Sequence, residues 1–170
     1  MYMNNIEIST DFSPLGKDDA PQVMHIFNYY VEHSDAAFFE DLVPEPFYFK
    51  MLELLGSYPS AIIRTTKGRI VGFGMVRLHN PLPVFRHTGE ITYFIDPEFT
   101  GRGLGGKLLM HLEEKAREYG ITCILAQISS KNYGSISFHK KHGFVESGRL
   151  TKIGKKHGEF FDIIWMQKAI

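Results

Sequence analysis

A single cysteine is present among the 170 residues, which excludes an intrachain disulfide and a cysteine-rich zinc site. The charges balance, with 19 Lys and Arg against 19 Asp and Glu, so the chain has no basic excess for bulk electrostatic binding to nucleic acid. No apolar run approaches the roughly 20 residues that cross a bilayer, and residues 1–11 contain no basic segment leading into an apolar one. We therefore expect a cytoplasmic protein with neither a nucleic-acid nor a membrane partner.

What is present fits one ordinary globular domain over residues 1–170. Hydrophobic residues make up 44% and charged residues 22%, close to average usage, and no repeat or linker divides the chain. Periodicity and turn residues predict the element order β-α-α-β-β-β-α-β-α-β-β. Because short turns join the early strands and helices join the later ones, we expect an α/β (α+β) fold. Its mixed sheet would carry helices on both faces.

The predicted elements have approximate bounds. Strands are expected at residues 6–8, 61–63, 70–78, 90–95 and 121–128, before a final hairpin that ends near residue 167. One helix starts from a cap at Asp18 or Asp19, and others cover residues 47–55, 104–119 and 132–141. Gly72 and Gly74 indicate that another backbone passes close to their strand.

Two of these elements carry more specific expectations. Residues 121–128 form a continuous apolar run, which is typical of a central strand buried on both faces. In the helix at residues 104–119, Glu113 and Arg117 are expected to pair on the solvated face. Its predicted core stripe consists of Leu104, Leu108, Leu109, Leu112 and Ala116.

A glycine-rich loop, residues 100–107, lies between a predicted strand and a helix. Backbone N–H groups and the helix dipole converge at such a junction and favour an anion such as a pyrophosphate. Gly101, Gly103 and Gly106 match the spacing G-x-G-x-x-G, but no acidic residue follows the next strand to bind a ribose. The loop also resembles a P-loop, yet Leu108 occupies the position of the magnesium-binding hydroxyl. Both interpretations therefore fail on chemistry.

A third interpretation uses the residues around the loop. Residues 93–109 resemble the acetyl-CoA motif of the GNAT family of N-acetyltransferases, with Thr100, Gly103 and Gly105 at the fixed positions of [QR]-x-x-G-x-[GA]. Thr100 departs from the usual Gln or Arg. A second signature of the family follows about 30 residues later, as Asn132, Ser135, His139 and Gly143-Phe144.

A closer resemblance extends over nearly the whole domain. Residues 85–90, 138–139 and 156–158, together with Asp162, are similar to the phosphinothricin and methionine-sulfoximine acetyltransferase subgroup. Residues 26–32 and 37–39 match the first helix of that subgroup and the loop after it. The resemblance implies a single-domain GNAT fold with a mostly antiparallel sheet of six to seven strands, and a homodimer.

The resemblance also implies acetyl-CoA as cosubstrate. The pantetheine arm would lie along Tyr93, Phe94 and Ile95, and the side-chain amide of Asn132 would contact the cofactor. The pyrophosphate would be bound by the loop residues Gly101, Arg102, Gly103, Leu104, Gly105 and Gly106. The eight histidines show no metal-ligand spacing, so we expect no metal.

Glu90 is the predicted general base, because the subgroup places its proposed catalytic glutamate there. His139 stands where many family members have a tyrosine acid, and it would protonate the leaving thiolate or orient the cofactor. Tyr29, Tyr30, Phe38 and Phe85 are predicted to bind the acceptor, although aromatic residues also occur as plain core.

The predicted reaction is direct attack by the α-amine of a small amino-acid-like acceptor. Cys123 lies in an apolar run, where free cysteine usually packs as a small hydrophobic residue, so an acetyl-cysteine intermediate is not expected. Two alternatives stay open. The acceptor could be a protein or peptide amine, or the chain could be a non-catalytic acetyl-CoA-binding module.

Overall fold

A computed structural model describes residues 8–170 of the chain. The strands are β1 (Ile8–Ser13), β2 (Ser60–Thr65), β3 (Ile70–Leu78), β4 (Thr88–Ile95), β5 (Cys123–Ser129), β6 (Val145–Lys156) and β7 (Glu159–Ala169). The α-helices are α1 (Ala20–His33), α2 (Pro46–Leu55), α3 (Leu104–Glu118) and α4 (Tyr133–Lys141). None of the helices described in these residues is long and apolar enough to span a membrane.

The strands form one seven-stranded sheet in the order β1-β2-β3-β4-β5-β7-β6. Every neighbouring pair is antiparallel except β4 and β5, which are parallel. Parallel neighbours need a crossover, and α3 provides it between β4 and β5. The predicted element order and the mixed, mostly antiparallel sheet are confirmed.

Helices cover the sheet on both faces and create two apolar cores. The core under α3 contains the predicted stripe, and every member of that stripe is buried. The other core packs α1 and α2 against β3 and β4. Gly74 permits the first core to close, because a Cβ at this position would lie 2.6 Å from Cβ of Tyr93 and 2.8 Å from Leu112. A Cβ would also lie 3.0 Å from the Thr92 carbonyl oxygen at Gly74 and 3.3 Å from the Phe94 carbonyl oxygen at Gly72, so the expected close approach of another backbone is confirmed.

Three local expectations are corrected by the structure. The predicted strand at residues 6–8 falls largely outside the described residues, and the strand seen there is β1, which extends to Ser13. Asp19 is the N-cap residue of α1, but its carboxylate accepts hydrogen bonds from the Gly16 N–H and from Arg64 instead of capping the helix. Glu113 pairs with Arg117 as expected, at 3.8 Å, but it is buried instead of solvated, and Lys168 of β7 also donates a hydrogen bond to its carboxylate at 2.6 Å.

Strand β5 differs most from its prediction. Its exposure alternates, and Gln127 is exposed on one face although burial on both faces was expected. Helices α1 and α2 pack on β3 and β4, so they do not bury this face of β5 at Gln127. The apolar run predicted the strand correctly but predicted wrongly that both faces of the strand are buried.

Candidate active site

A cleft forms where β4 and β5 separate. The two strands pair only at Thr88–Glu90 against Cys123–Leu125, and beyond these residues they diverge. The cleft has a volume of about 1480 Å³, and residues from both faces of the sheet line it. A ligand can therefore pass through the sheet at this point.

The edge of β4 that borders the cleft presents backbone groups. Asp96 N–H donates to the Val71 carbonyl, which makes Ile95 and Gly72 a non-hydrogen-bonded pair across the antiparallel strands. By the same alternation, the N–H and C=O groups of Tyr93 and Ile95 point away from β3 and toward the cleft. Such an edge can pair with an extended arm that carries amides, as another strand would.

The glycine-rich loop lies at one end of the cleft. Gly101 and Gly103 adopt φ angles of 74° and 75°, a left-handed conformation that favours glycine. Gly103 is the N-cap of α3, a helix of 15 residues, so the first N–H groups of α3 have no intrahelical acceptor. Gly105 and Gly106 lie in the first turn, where a Cβ would come within 3.4 Å of Phe138 or 3.1 Å of His142. Glycine at these positions lets the start of α3 pack close to Phe138 and His142, and the first N–H groups of α3 suit an anion.

Glu90 lies where the two strands begin to separate, and only 6% of its surface is exposed. Its carboxylate forms an ion pair with Arg77, the residue opposite it on β3. His79 Nδ1 is 2.7 Å from one carboxylate oxygen, and the Gln127 amide donates to the other at 3.2 Å. Three polar partners therefore hold this buried carboxylate in one position.

Sequence reasoning found Glu90 but missed the three groups that hold it. Arg77, near the end of β3, and His79, which directly follows β3, alternate with Leu78 and indicate one polar strand face, and Gln127 interrupts an apolar run. These signals were present in the sequence. Only the register of three strands distant in sequence shows that they converge on one carboxylate.

His139 and Tyr93 form a hydrogen-bonded pair on the other face of β4. The Ser135 carbonyl, which can only accept, lies 2.8 Å from His139 Nδ1, so this nitrogen carries the proton. His139 Nε2 then accepts from the Tyr93 hydroxyl at 2.9 Å. Burial lowers the pKa of His139, against a smaller raising effect of the Ser135 carbonyl, and burial raises the pKa of Tyr93. Both side chains are therefore neutral near pH 7.

Aromatic side chains line the end of the cleft near α1 and α2. The Tyr30 hydroxyl donates to the Ile95 carbonyl at 2.6 Å, and burial, with Tyr29 and Asp96 nearby, raises its pKa to about 12. Phe38 and Phe39 follow α1 and contribute partly exposed rings. This end of the cleft is suited to an acceptor that has apolar bulk.

The structure brings most of the predicted site residues to the cleft. The lining includes Tyr30, Phe38, Glu90, Tyr93, Phe94, Ile95, Gly101, Gly103, Leu104, Gly105, Gly106, Asn132 and His139. Asn132 caps α4, because its side-chain oxygen accepts from Ser135 N–H at 3.0 Å, so the predicted cofactor contact would use its Nδ2 donor.

Three predicted residues do not line the cleft. Tyr29 stacks on His33, Phe85 lies beside His79, and Arg102 packs over the Phe99 ring. The Arg102 guanidinium also donates to the Glu98 carbonyl at 3.1 Å, so its side chain is turned back along the loop. Cys123 is half-buried at the start of β5, and it too is outside the lining.

Two parallel strands that separate beside a glycine-rich helix start are typical of acyl-CoA-dependent transferases, and this is the class that the fold and the site indicate. A sequence model of the Acetyltransferase (GNAT) family matches residues 26–144, and the chain belongs to that family. The residues fit its cofactor, acetyl-CoA, because the open strand edge suits the amide-bearing arm and the start of α3 suits the pyrophosphate. The family resemblance read from the sequence is confirmed.

Similar proteins cover nearly the whole chain. An L-methionine sulfoximine/L-methionine sulfone acetyltransferase of Pseudomonas paraeruginosa is 31% identical over 163 residues, which are 94% of each chain. The structure of a ribosomal-protein-alanine N-acetyltransferase from Brucella melitensis is 30% identical, with a TM-score of 0.87 and coverage of 94% and 99%. The structure of yncA from Salmonella typhimurium, solved with its cofactor acetyl-CoA, is 28% identical, with a TM-score of 0.83 and coverage of 95% and 93%.

Proposed function

We propose that this acetyltransferase acetylates the α-amine of a small, amino-acid-like acceptor of the methionine sulfoximine and phosphinothricin type. The observation that carries the proposal is the position of Glu90, a buried carboxylate at the opening between β4 and β5 and beside the aromatic end of the cleft. The similarity to a methionine sulfoximine acetyltransferase, which is 31% identical over 94% of this chain, supports the same acceptor class.

Successive side chains of β4 point to opposite faces of the sheet, which supports separate binding sites for the acceptor and the cofactor on its two faces. Phe94 belongs to the core of α1 and α2, whereas Tyr93 belongs to the core of α3. Glu90 shares the parity of Phe94, so its side chain is on the side of α1 and α2. The acceptor amine would approach from that side, and the CoA arm would occupy the side of α3 and α4.

Glu90 would accept the proton of the acceptor ammonium, directly or through a water molecule. Arg77, His79 and Gln127 fix the carboxylate for this step. When bound, acetyl-CoA supplies the acetyl thioester that the neutral amine attacks. Cys123 takes no part, because it is outside the cleft lining and burial raises the pKa of its thiol.

His139 would act through Tyr93 on the leaving-group side. As a neutral imidazole it lacks a proton on Nε2, and it accepts the Tyr93 hydroxyl there. The pair would fix the hydroxyl beside the strand edge proposed to hold the CoA arm. This role corresponds to the orienting alternative for His139.

A panel of acceptors tests the proposal by measuring CoA release. The panel contains methionine sulfoximine, methionine sulfone, phosphinothricin and peptides with N-terminal alanine. The peptides test a second acceptor class, which the similarity to a ribosomal-protein-alanine N-acetyltransferase favours. Turnover of the amino-acid analogues supports the proposal. Turnover of peptides alone would assign a protein acceptor, and acetyl-CoA binding without any turnover would indicate a binding module.

The assembly is proposed to be a homodimer and the location cytoplasmic. Strand β6 is at the edge of the sheet, and its Val145, Leu150 and Ile153 side chains are exposed. Exposed apolar residues on an edge strand favour association with another chain. Light scattering on the purified protein and cell fractionation test the two statements.

A further inference from the structure

A lysine is buried at the end of strand β6. Lys156 exposes only 5% of its surface, although lysine is almost never fully buried unless its charge is paired. It belongs to the segment 156–158, which is part of the resemblance to the acetyltransferase subgroup. The proposed reaction assigns no role to this segment. Burial lowers the pKa of Lys156, with Asp35 and Glu40 acting in the opposite direction. Strong interactions are needed to keep an ammonium there.

These interactions come from three backbone carbonyls. Lys156 Nζ donates to the carbonyls of Val31 at 2.7 Å, Ser34 at 2.7 Å and Ala37 at 3.1 Å. All three ammonium protons are therefore used. The Val31 carbonyl is in the last turn of α1, where carbonyls have no intrahelical donor and the helix dipole favours a cation.

The same carbonyls fix the segment that follows α1. Residues 34–43, which we call the aromatic loop, contain no helix or strand and carry Phe38 and Phe39 to the cleft. The β6–β7 hairpin contacts this loop twice more. His157 N–H donates to Glu40 at 2.8 Å, and Phe161 stacks on Phe38 with 5.8 Å between ring centroids.

We propose that Lys156 is a positioning residue that holds the aromatic loop in place as the wall of the acceptor pocket. This inference rests on the proposed function, because it needs the acceptor to bind beside Phe38 and Phe39. Its ammonium binds a carbonyl in the last turn of α1 and two carbonyls of the aromatic loop, and so connects the loop to the hairpin. Loss of the charge would therefore release the loop. The cofactor end of the cleft, formed by the start of α3, makes no contact with Lys156 among the described hydrogen bonds.

The test compares Lys156→Met and Lys156→Gln with the matched control Lys155→Met. Lys155 is the preceding residue on the same strand, is exposed, and lies over the Phe160 ring. The acceptor KM should rise about tenfold in Lys156→Met, which corresponds to loss of about 1.4 kcal/mol. It should rise less in Lys156→Gln, whose amide keeps two donors. The Kd for acetyl-CoA should stay within about twofold in all three variants, a split that general misfolding would not produce.

Hydrogen–deuterium exchange provides a readout that does not need turnover. Amides of residues 34–43 should exchange faster in Lys156→Met than in wild type or Lys155→Met, while those of α3 should not change. If Lys156→Met fails to bind acetyl-CoA, Lys156→Gln takes its place in both measurements. Unchanged exchange of the loop overturns the anchoring role, and faster exchange with an unchanged acceptor KM overturns the positioning role. Wild-type protein without activity on any acceptor would instead contradict the proposed function, and the exchange experiment would still decide the anchoring.

Discussion

At the scale of single residues, the cleft joins groups that are far apart in sequence. Glu90 was predictable because it stands in a recognisable motif, residues 85–90, just before the strand expected to bind the cofactor. Its partners Arg77, His79 and Gln127 were not predicted, because their convergence depends on the pairing of β3, β4 and β5. A motif indicates which residue type is needed, whereas the register of the strands decides what surrounds it.

Replacement of Glu90 tests the base. Glu90→Gln keeps the size and most hydrogen bonds but cannot accept a proton at neutral pH, so kcat should fall by about 10²–10⁴. Acetyl-CoA affinity should be nearly unchanged, and higher pH should restore part of the rate because more amine is then neutral. Steady-state kinetics from pH 6.5 to 9.5 measure both effects. Glu114→Gln, on the exposed face of α3, is the control. Full kcat in Glu90→Gln would place the base elsewhere, with His79 as the next candidate.

The buried His139 gives folding a predictable pH dependence. Because burial lowers its pKa below the ordinary value near 6.5, the unfolded chain binds a proton more readily than the folded one. Stability should therefore be lost as the pH falls below about 6.5, by at most about 1.4 kcal/mol per pH unit for this group. His111, whose pKa burial also lowers, adds a contribution of the same sign.

Urea unfolding between pH 5 and pH 8 measures this dependence. His139→Gln should have a smaller slope below pH 6.5 than wild type, whatever its absolute stability. The exposed Met110→Gln, which removes no titratable group, should keep the wild-type slope. An identical slope in wild type and His139→Gln would mean that His139 is protonated equally in the folded and unfolded chains.

At the scale of elements, local patterns specified α3 almost completely. Its apolar stripe, its glycine-rich start and its end near residue 119 all agree with the structure, because capping and periodicity are properties of the segment itself. Strand β5 was the opposite case. The apolar run showed that it is a strand, but the exposure of Gln127 depends on where α1 and α2 pack and on where β4 diverges.

The start of α3 makes its own prediction about cofactor binding. Gly105→Val should weaken acetyl-CoA binding by about tenfold or more, because its side chain would fill part of the cleft between the start of α3 and Phe138, which both line it. Since a Cβ at Gly105 would already lie 3.4 Å from Phe138, the Tm of the variant is measured beside its affinity. Gly103→Val is a poorer test, because its φ of 75° would add backbone strain.

Isothermal titration with acetyl-CoA measures the effect of Gly105→Val. The matched control is Gly148→Val on β6, where an added Cβ has no neighbour within 4 Å. Wild-type affinity in Gly105→Val would show that the first turn of α3 does not approach the cofactor. Loss of affinity in both variants would indicate a general effect of valine on the fold.

At the scale of the whole molecule, the decisive feature is a sheet whose middle strands pair over three residues and then separate. The order of elements along the chain was predictable, because turn residues and periodicity are local. The spatial order, with β7 between β5 and β6, and the place of separation depend on contacts between distant segments. These features are therefore the part that the sequence did not reveal by pattern alone.

If acetyl-CoA binds in this cleft, it should raise the free energy of unfolding of the domain. A ligand that binds only the folded chain, present at about 100 times its Kd, stabilises it by about 2.7 kcal/mol. For a domain of this size, about 2–4 °C per kcal/mol gives an increase in Tm of roughly 5–10 °C. Thermal unfolding monitored with increasing acetyl-CoA measures the shift. Desulfo-CoA, which keeps the pyrophosphate but lacks the sulfur, should give much of the same shift if the loop at residues 101–106 carries the binding. No shift at saturating acetyl-CoA would contradict the cleft as the cofactor site, because a ligand that binds a cleft present only in the folded chain must favour that chain.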